Sequence, residues 1–286
     1  MTTALLADVG GTNTRVALGR GGQLDTGTIR WFRNEDYCDF AAVLAAYDAT
    51  GAARMSVAIA GPVTGEQARL TNRDWVIDAG AWDMPVKLCN DLQAVGHGLD
   101  DLPPGALAEV AAGHPTQGAQ RLVIGLGTGF NVSLVAGQEV LQAEHGHASL
   151  PVAVADWVTA RVGKMPFASV EALFSGRGVE EFHRLSTGTS LPSDQIVAGA
   201  PDTLALFGEA VGILTTQLVY HYLPLGGIVL NGGLARAVIR TKEGLHGFAR
   251  GYVMHDALGA RLAGIPVHLV TDDAAALYGC ARLARL

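Results

Sequence analysis

Two short stretches hold residue types suited to anion binding and to proton abstraction. The first is Ala7-Asp8-Val9-Gly10-Gly11-Thr12-Asn13-Thr14. Gly10 and Gly11 carry no Cβ, so the chain can turn tightly there and an anionic ligand can approach its N–H groups. Thr12, Asn13 and Thr14 offer donors to phosphate oxygens. Asp8 would repel a phosphate in direct contact and is better suited to hold a hydrated Mg2+. The second stretch is Asn90-Asp91. A carboxylate such as Asp91 can take the proton of a reacting hydroxyl, a contribution of about 10²–10⁴-fold, and Asn90 can hold a neighbouring hydroxyl. Asp91 can equally serve as the cap of the helix expected over 92–99.

Further along, Gly125, Gly127, Thr128 and Gly129 form a second glycine turn, fit for the β- or γ-phosphate of a nucleotide. Gly232 and Gly233 would let a base or ribose pack on bare backbone. Glu144-His145-Gly146-His147 could bind zinc only on an extended strand, and no third strong ligand lies nearby. Glu and His that pair with the vicinal hydroxyls of a sugar are the better use. Glu171 otherwise reads as an acid at a helix start. His97, His114, His183, His221, His255 and His268 read as structural or surface residues. No Gly-x-x-x-x-Gly-Lys-Ser/Thr occurs, and no Gly-x-Gly-x-x-Gly follows the first strand, which disfavours P-loop and dinucleotide folds.

The elements that must position these residues alternate between strand and helix patterns, so the class is α/β. Strands are expected at 4–9, 14–19, 26–33, 54–60 and 86–89, with a helix over 37–49 and another at 92–99. Residues 100–119, rich in Pro, Gly and Ala, read as a connection. From Arg121 the order of 4–24 repeats: apolar strand, glycine turn, alternating strand, turn at 136–137 and a short strand at 138–142. This predicts an internal duplication whose two lobes enclose a cleft. Helices are expected at about 151–162, 169–174, 178–185 and 202–222, strands at 227–230 and 266–270, and an Ala-rich helix over 272–284.

The 286 residues are 49% hydrophobic and 16% charged, enough to bury a large core. A net charge of −7 argues against nucleic acid or an anionic membrane as partner. No apolar run was expected to approach the roughly 20 residues of a membrane span. The N-terminus lacks the pattern of a secretory signal, so the expected location is the cytoplasm. Cys38, Cys89 and Cys280 have neither disulfide nor zinc spacing and read as small buried filler.

Taken together, these elements resemble the bacterial glucokinase family of the non-ROK type, within the hexokinase, Hsp70 and actin superfamily of ATP-binding folds. The matching stretches are Asp8 to Arg15, Ala58 to Val63, Leu70-Thr-Asn72-Arg-Asp-Trp75, Asn90 to Val95, Gly125 to Gly129, Glu144 to His147, Phe174-Ser-Gly-Arg-Gly178 and Gly227 to Leu234. The resemblance implies a two-lobed, duplicated ribonuclease H-like fold. Its small lobe would be 1–100 plus 272–286 and its large lobe 101–271. It implies ATP-dependent phosphorylation of a hexose, glucose first, with mannose, fructose or N-acetylglucosamine kinases and a non-catalytic sugar sensor as alternatives.

By resemblance, Ala7, Asp8, Val9, Gly10, Gly11, Thr12 and Asn13 bind ATP phosphates, and Asp8 helps hold Mg2+. Asp91 is the base. Asn72, Asn90, Glu144, His147 and Glu171 bind the sugar. Gly127, Thr128 and Gly129 contact phosphates, and Gly232 and Gly233 the adenosine. A homodimer is implied as well. Two positions depart from the family pattern: His145 stands where a second glycine is usual, and Arg177 where proline is common.

Overall fold

A computed structural model of the chain describes residues 2–47, 51–254, 262 and 264–285. The end of the helix expected over 37–49, and His255, lie outside them. The chain divides into two compact units. The first is Met1–Pro104, Gln138–Gln142 and Asp272–Leu286; the second is Gly105–Gly137 and Ala143–Thr271.

In the first unit the apolar run at the N-terminus forms β1 (Thr3–Val9), fully buried from Ala4 to Asp8 and beyond. It pairs antiparallel with β2 (Asn13–Arg20), Leu5 opposite Leu18, and β2 pairs with β3 (Gln23–Arg33). After α1 (Phe40–Tyr47), β4 (Arg54–Ile59) pairs parallel on the other side of β1. Strands β5 (Val63–Thr64), β6 (Gln67–Arg69) and β7 (Val76–Asp78) make a small antiparallel sheet. Then β8 (Val86–Asn90) closes the order β3-β2-β1-β4-β8 and leads directly into α2 (Asp91–Gly98). Parallel strands buried on both faces read as continuous apolar runs, which is why β1 and β4 lack alternation.

In the second unit β9 (Leu107–Ala111), β10 (Arg121–Leu126) and β11 (Phe130–Ala136) come first, and β12 (Glu139–Gln142) follows in the segment grouped with the first unit. The expected boundary left 138–142 with the second part. The Gln93 amide donates to the Val140 carbonyl at 2.9 Å, which helps tie this segment to the first unit. Next come α3 (Val152–Val162), α4 (Val170–Leu173), α5 (Gly176–Thr187), α6 (Ser193–Gly199) and α7 (Pro201–Tyr222). They are followed by β13 (Ile228–Asn231), α8 (Gly233–Ile239), α9 (Lys242–Gly251) and β14 (Val267–Val270). Within the second unit the strand order is β11-β10-β13-β14-β9. In both units an antiparallel hairpin carries two parallel strands beyond its first strand, so β2-β1-β4-β8 and β11-β10-β13-β14 share one plan. The C-terminal helix α10 (Ala275–Leu283) returns to the first unit, where a Cβ on Gly279 would collide with the Ala94 carbonyl of α2.

The larger core gathers Phe130, Phe174, Phe182, Phe207 and Phe248 with the apolar faces of β10, β13 and α7. Each such side chain, removed from water, contributes roughly 1.5–3 kcal/mol. Three expectations fail here, and some elements had no expected counterpart. Residues 107–111, read as connection, are strand β9, held by its ladder to β14. The short sheet over 63–78 and helices α6, α8 and α9 were not foreseen. Helix α7 is long and apolar enough to cross a membrane, against the expectation that no run approached that length; 67% of its apolar window is buried inside the protein. Cys38 is exposed, whereas Cys89 and Cys280 are buried.

Candidate active site

Asp8 sits near the end of β1, 6% exposed. The Arg15 guanidinium, across the hairpin on β2, donates to its Oδ2 at 2.7 Å and lies 4.1 Å over the Trp31 ring. Burial pushes the Asp8 carboxyl above its usual range, against the pull of Arg15. The glycine turn closes with the Gly10 N–H donating to the Asn13 carbonyl at 3.0 Å, so that N–H is already engaged. A brace absent from the sequence reading holds the turn. Fully buried Asn34, just past β3, accepts from the Thr14 hydroxyl at 2.8 Å and donates to the Gly10 carbonyl at 2.7 Å; its own N–H donates to the Thr12 carbonyl at 2.9 Å. Thr14 is therefore not a free phosphate donor, because its buried hydroxyl is taken within the fold. The side chain of Asn72 flanks Gly11, its amide nitrogen 3.5 Å from where a Cβ would stand.

At the end of β8 the helix cap is Asn90, one residue before the expected capping position. Its Oδ1 accepts from the Leu92 N–H at 3.0 Å, the Gln93 side chain accepts from the Asn90 N–H at 3.3 Å, and its amide donates to the Gly61 carbonyl at 3.3 Å. Such reciprocal bonding at a helix start satisfies two otherwise orphaned donors. Asn90 thus positions Asp91, which is the first helical residue. Asp91 accepts from the Leu92 N–H at 2.8 Å through Oδ1. Burial first, and then the charge of Asp8, push its carboxyl up to about 7, against the lowering effect of the backbone N–H groups and the Asn90 side chain. A carboxyl titrating near neutrality is matched to proton abstraction at cellular pH. The Gly61 carbonyl is the seat of the Asn90 amide, and a Cβ on Gly61 would collide with the Arg69 carbonyl.

The second unit brings its own predicted residues together. The Gly127 N–H donates to the Gly129 carbonyl at 2.9 Å, and the Gly127 carbonyl accepts from the Gly176 N–H at 3.1 Å. Glu171, in the first turn of α4, accepts from the Phe130 N–H at 3.0 Å, and a Cβ on Gly129 would stand 2.5 Å from its Oε2. Ser169 and Ser175 cap α4 and α5 around it. Residues His145–His147 form a single 3-10 turn, with Gly146 pressed against the Phe130 carbonyl. The Asn131 amide donates to Glu144 at 3.2 Å, and His147 lies 4.0 Å from the same carboxylate oxygen. Glu144, His147 and Thr128 are exposed. The extra histidine, His145, packs against Phe130, His221 and Tyr222, and burial with the His221 charge holds it below the usual histidine range. Gly232 has φ 109°, and a Cβ there would collide with the Leu126 carbonyl, so only glycine fits between β13 and α8. Gly233 is the first residue of α8.

The strand order and the glycine turns are those of the actin-like ATPase fold, and the solved structures that share it here are sugar kinases. A crystal structure of glucokinase from an Antarctic psychrotroph superposes with a TM-score of 0.79 over 99% of this chain and 98% of that one, at 24% identity. A ROK family glucokinase from Streptomyces griseus, in complex with glucose and AMPPNP, superposes with a TM-score of 0.67 at 18% identity and covers 99% of each chain. A glucokinase from Cupriavidus metallidurans is 31% identical over 312 aligned positions, 97% of this chain and 92% of the relative. The glucokinase family model matches residues 5–286. The chain belongs to the glucokinase family.

Proposed function

We propose that the chain transfers the γ-phosphoryl group of ATP to the 6-hydroxyl of glucose, with Asp91 as the general base. The observation that carries this reading is Asp91 itself: a carboxyl fixed at a strand-to-helix junction, pushed up to about 7 and placed on the same sheet as the glycine turn. In the step, Asp91 accepts the hydroxyl proton as the sugar oxygen attacks phosphorus in line. The new O–P bond forms, the bond from phosphorus to the β-phosphate oxygen breaks, and ADP leaves. Phosphoryl transfer of this kind rests on positioning and on stabilising charge rather than on covalent help.

The turn from Gly10 to Asn13, braced by Asn34, is assigned to the nucleotide phosphates. Gly127, Thr128 and Gly129 are assigned to phosphates, Gly232 and Gly233 to the adenosine, and Asn72, Asn90, Glu144, His147 and Glu171 to the sugar. The donor set suits Mg2+: this ion keeps several waters and needs one or two carboxylates besides the phosphates, and Arg15 bonds one oxygen of Asp8. Bound with the nucleotide, the ion would neutralise charge on the phosphates, and Asp8 would hold its water shell. Homodimerisation and a cytoplasmic location complete the reading; sedimentation of the purified protein tests the first.

An ADP-release assay over a panel of glucose, mannose, fructose and N-acetylglucosamine, with ATP and Mg2+, tests the reaction. Glucose is expected to give the highest kcat/KM. A different best sugar reassigns the substrate. Sugar binding without ADP release from any of them contradicts the kinase.

A further inference from the structure

Beside the glycine turn the first unit carries a hollow of about 440 Å³ lined by Arg69, Leu70, Thr71, Asn72, Arg73 and Asp74. Its placement follows from the backbone. The Thr71 N–H and hydroxyl both donate to the Ala60 carbonyl at 3.3 Å, and the Ala60 N–H donates to the Val9 carbonyl at 2.9 Å. Asn72 flanks Gly11 on one side of this segment. On the other side Gly61, pressed against the Arg69 carbonyl, receives the amide of Asn90. The segment 69–74 thus rests between the turn that would cradle phosphates and the cap that holds Asp91.

Besides the Mg2+ assigned to the nucleotide, a cation of the protein at this place would meet the oxygens of the group in transit directly. Asp8 and Asp91 put two carboxyl groups near a group that itself carries negative charge in transit. The cation nearest in the hairpin, Arg15, is already bonded to Asp8 at 2.7 Å. Arg73 is half-buried, its guanidinium lies 5.5 Å over the ring of buried Trp75, and among the described residues it forms no ion pair. An aromatic face steadies a guanidinium without neutralising it. Arg69, at the end of β6, is exposed and has no such support.

We propose that Arg73 is the cation that receives the transferred phosphoryl group, contacting its oxygens in flight and on the sugar phosphate product. This rests on the kinase reading above. Fork-shaped donors on the equatorial oxygens stabilise charge that is spread over them during transfer.

The test compares the wild type with Arg73→Met and Arg73→Lys, using the best sugar of the panel. Loss of one preorganised donor to a developing charge costs about 10²–10³-fold in kcat. Arg73→Met is therefore expected to lose about 10²-fold in kcat, with the sugar KM within about threefold of wild type. Inhibition by the sugar 6-phosphate weakens about tenfold, while affinity for the unphosphorylated sugar holds. Arg73→Lys recovers at least about tenfold of the lost kcat, because a point charge on a flexible stem still reaches phosphate.

A kcat for Arg73→Met within about threefold of wild type overturns the proposal and leaves the kinase reading intact. So does a variant that loses sugar affinity and thermal stability together with no benefit from lysine, since that behaviour marks Arg73 as packing for Trp75. A wild type that releases no ADP with any hexose overturns both readings.

Discussion

Replacing Asp91 by Asn should stabilise the protein at alkaline pH and do so less in acid. The folded protein holds the Asp91 carboxyl at about 7, against a usual value of 3.8. A raised carboxyl binds a proton more tightly in the folded state than in the unfolded chain. Its contribution to stability is therefore full below pH 3.8 and is lost as pH rises through 7. Each pH unit of difference corresponds to about 1.36 kcal/mol, so the whole span amounts to about 4 kcal/mol. At pH 5.5 the remaining contribution is about 2 kcal/mol, and at pH 8 it is close to zero. Asn carries no titrating proton and keeps the side-chain shape, so other groups largely cancel between the two proteins. The stability difference, Asn variant minus wild type, should grow by about 2 kcal/mol from pH 5.5 to pH 8. Urea unfolding monitored by tryptophan emission reads this, since Trp31, Trp75 and Trp82 lie in the first unit. A difference that stays constant within about 0.5 kcal/mol between the two pH values would refute the reasoning, because no raised carboxyl would then be present at position 91.

The same titration sets the rate: kcat/KM should rise about tenfold from pH 6 to pH 8 with a midpoint near 7, and a flat profile over that range contradicts a base held at about 7. Asn34→Ala leaves the buried Thr14 hydroxyl and the Gly10 carbonyl without their partner, at about 1–3 kcal/mol each; urea unfolding and a raised KM for ATP should report this together. Gly129→Ala puts a Cβ 2.5 Å from the Glu171 carboxylate, which must leave the Phe130 N–H; the sugar KM should rise at least about tenfold, and an unchanged KM removes Glu171 from the sugar site.

The strongest sequence signals were those fixed by local rules. An apolar run followed by two glycines specified β1 and its turn, and the same pattern at Leu122 specified β10. The Asn-Asp pair at the end of β8 marked a helix start, but not which of the two caps it. Both residues are good caps, and the choice depends on whether the Asn90 side chain also finds the Gly61 carbonyl, a contact 29 positions away. Asn34 gave no signal, since its role exists only where β2 and β3 converge. Strand β9 carries only five residues and becomes a strand through pairing with β14. Helix α9 was hidden by Gly244, Gly247 and Gly251, which disfavour an isolated helix. Their absent side chains let α9 and α7 approach so closely that a Cβ on Gly247 or Gly251 would collide with the Ala205 or Glu209 carbonyl. Packing outweighs propensity there.

The most direct test of the account is the turnover of Asp91→Ala with saturating sugar, ATP and Mg2+, measured beside its sugar affinity by calorimetry. Loss of the base is expected to lower kcat by several orders of magnitude, at least the about 10²–10⁴-fold of general base catalysis, with sugar affinity less affected. Turnover near that of the wild type would contradict the role assigned to Asp91.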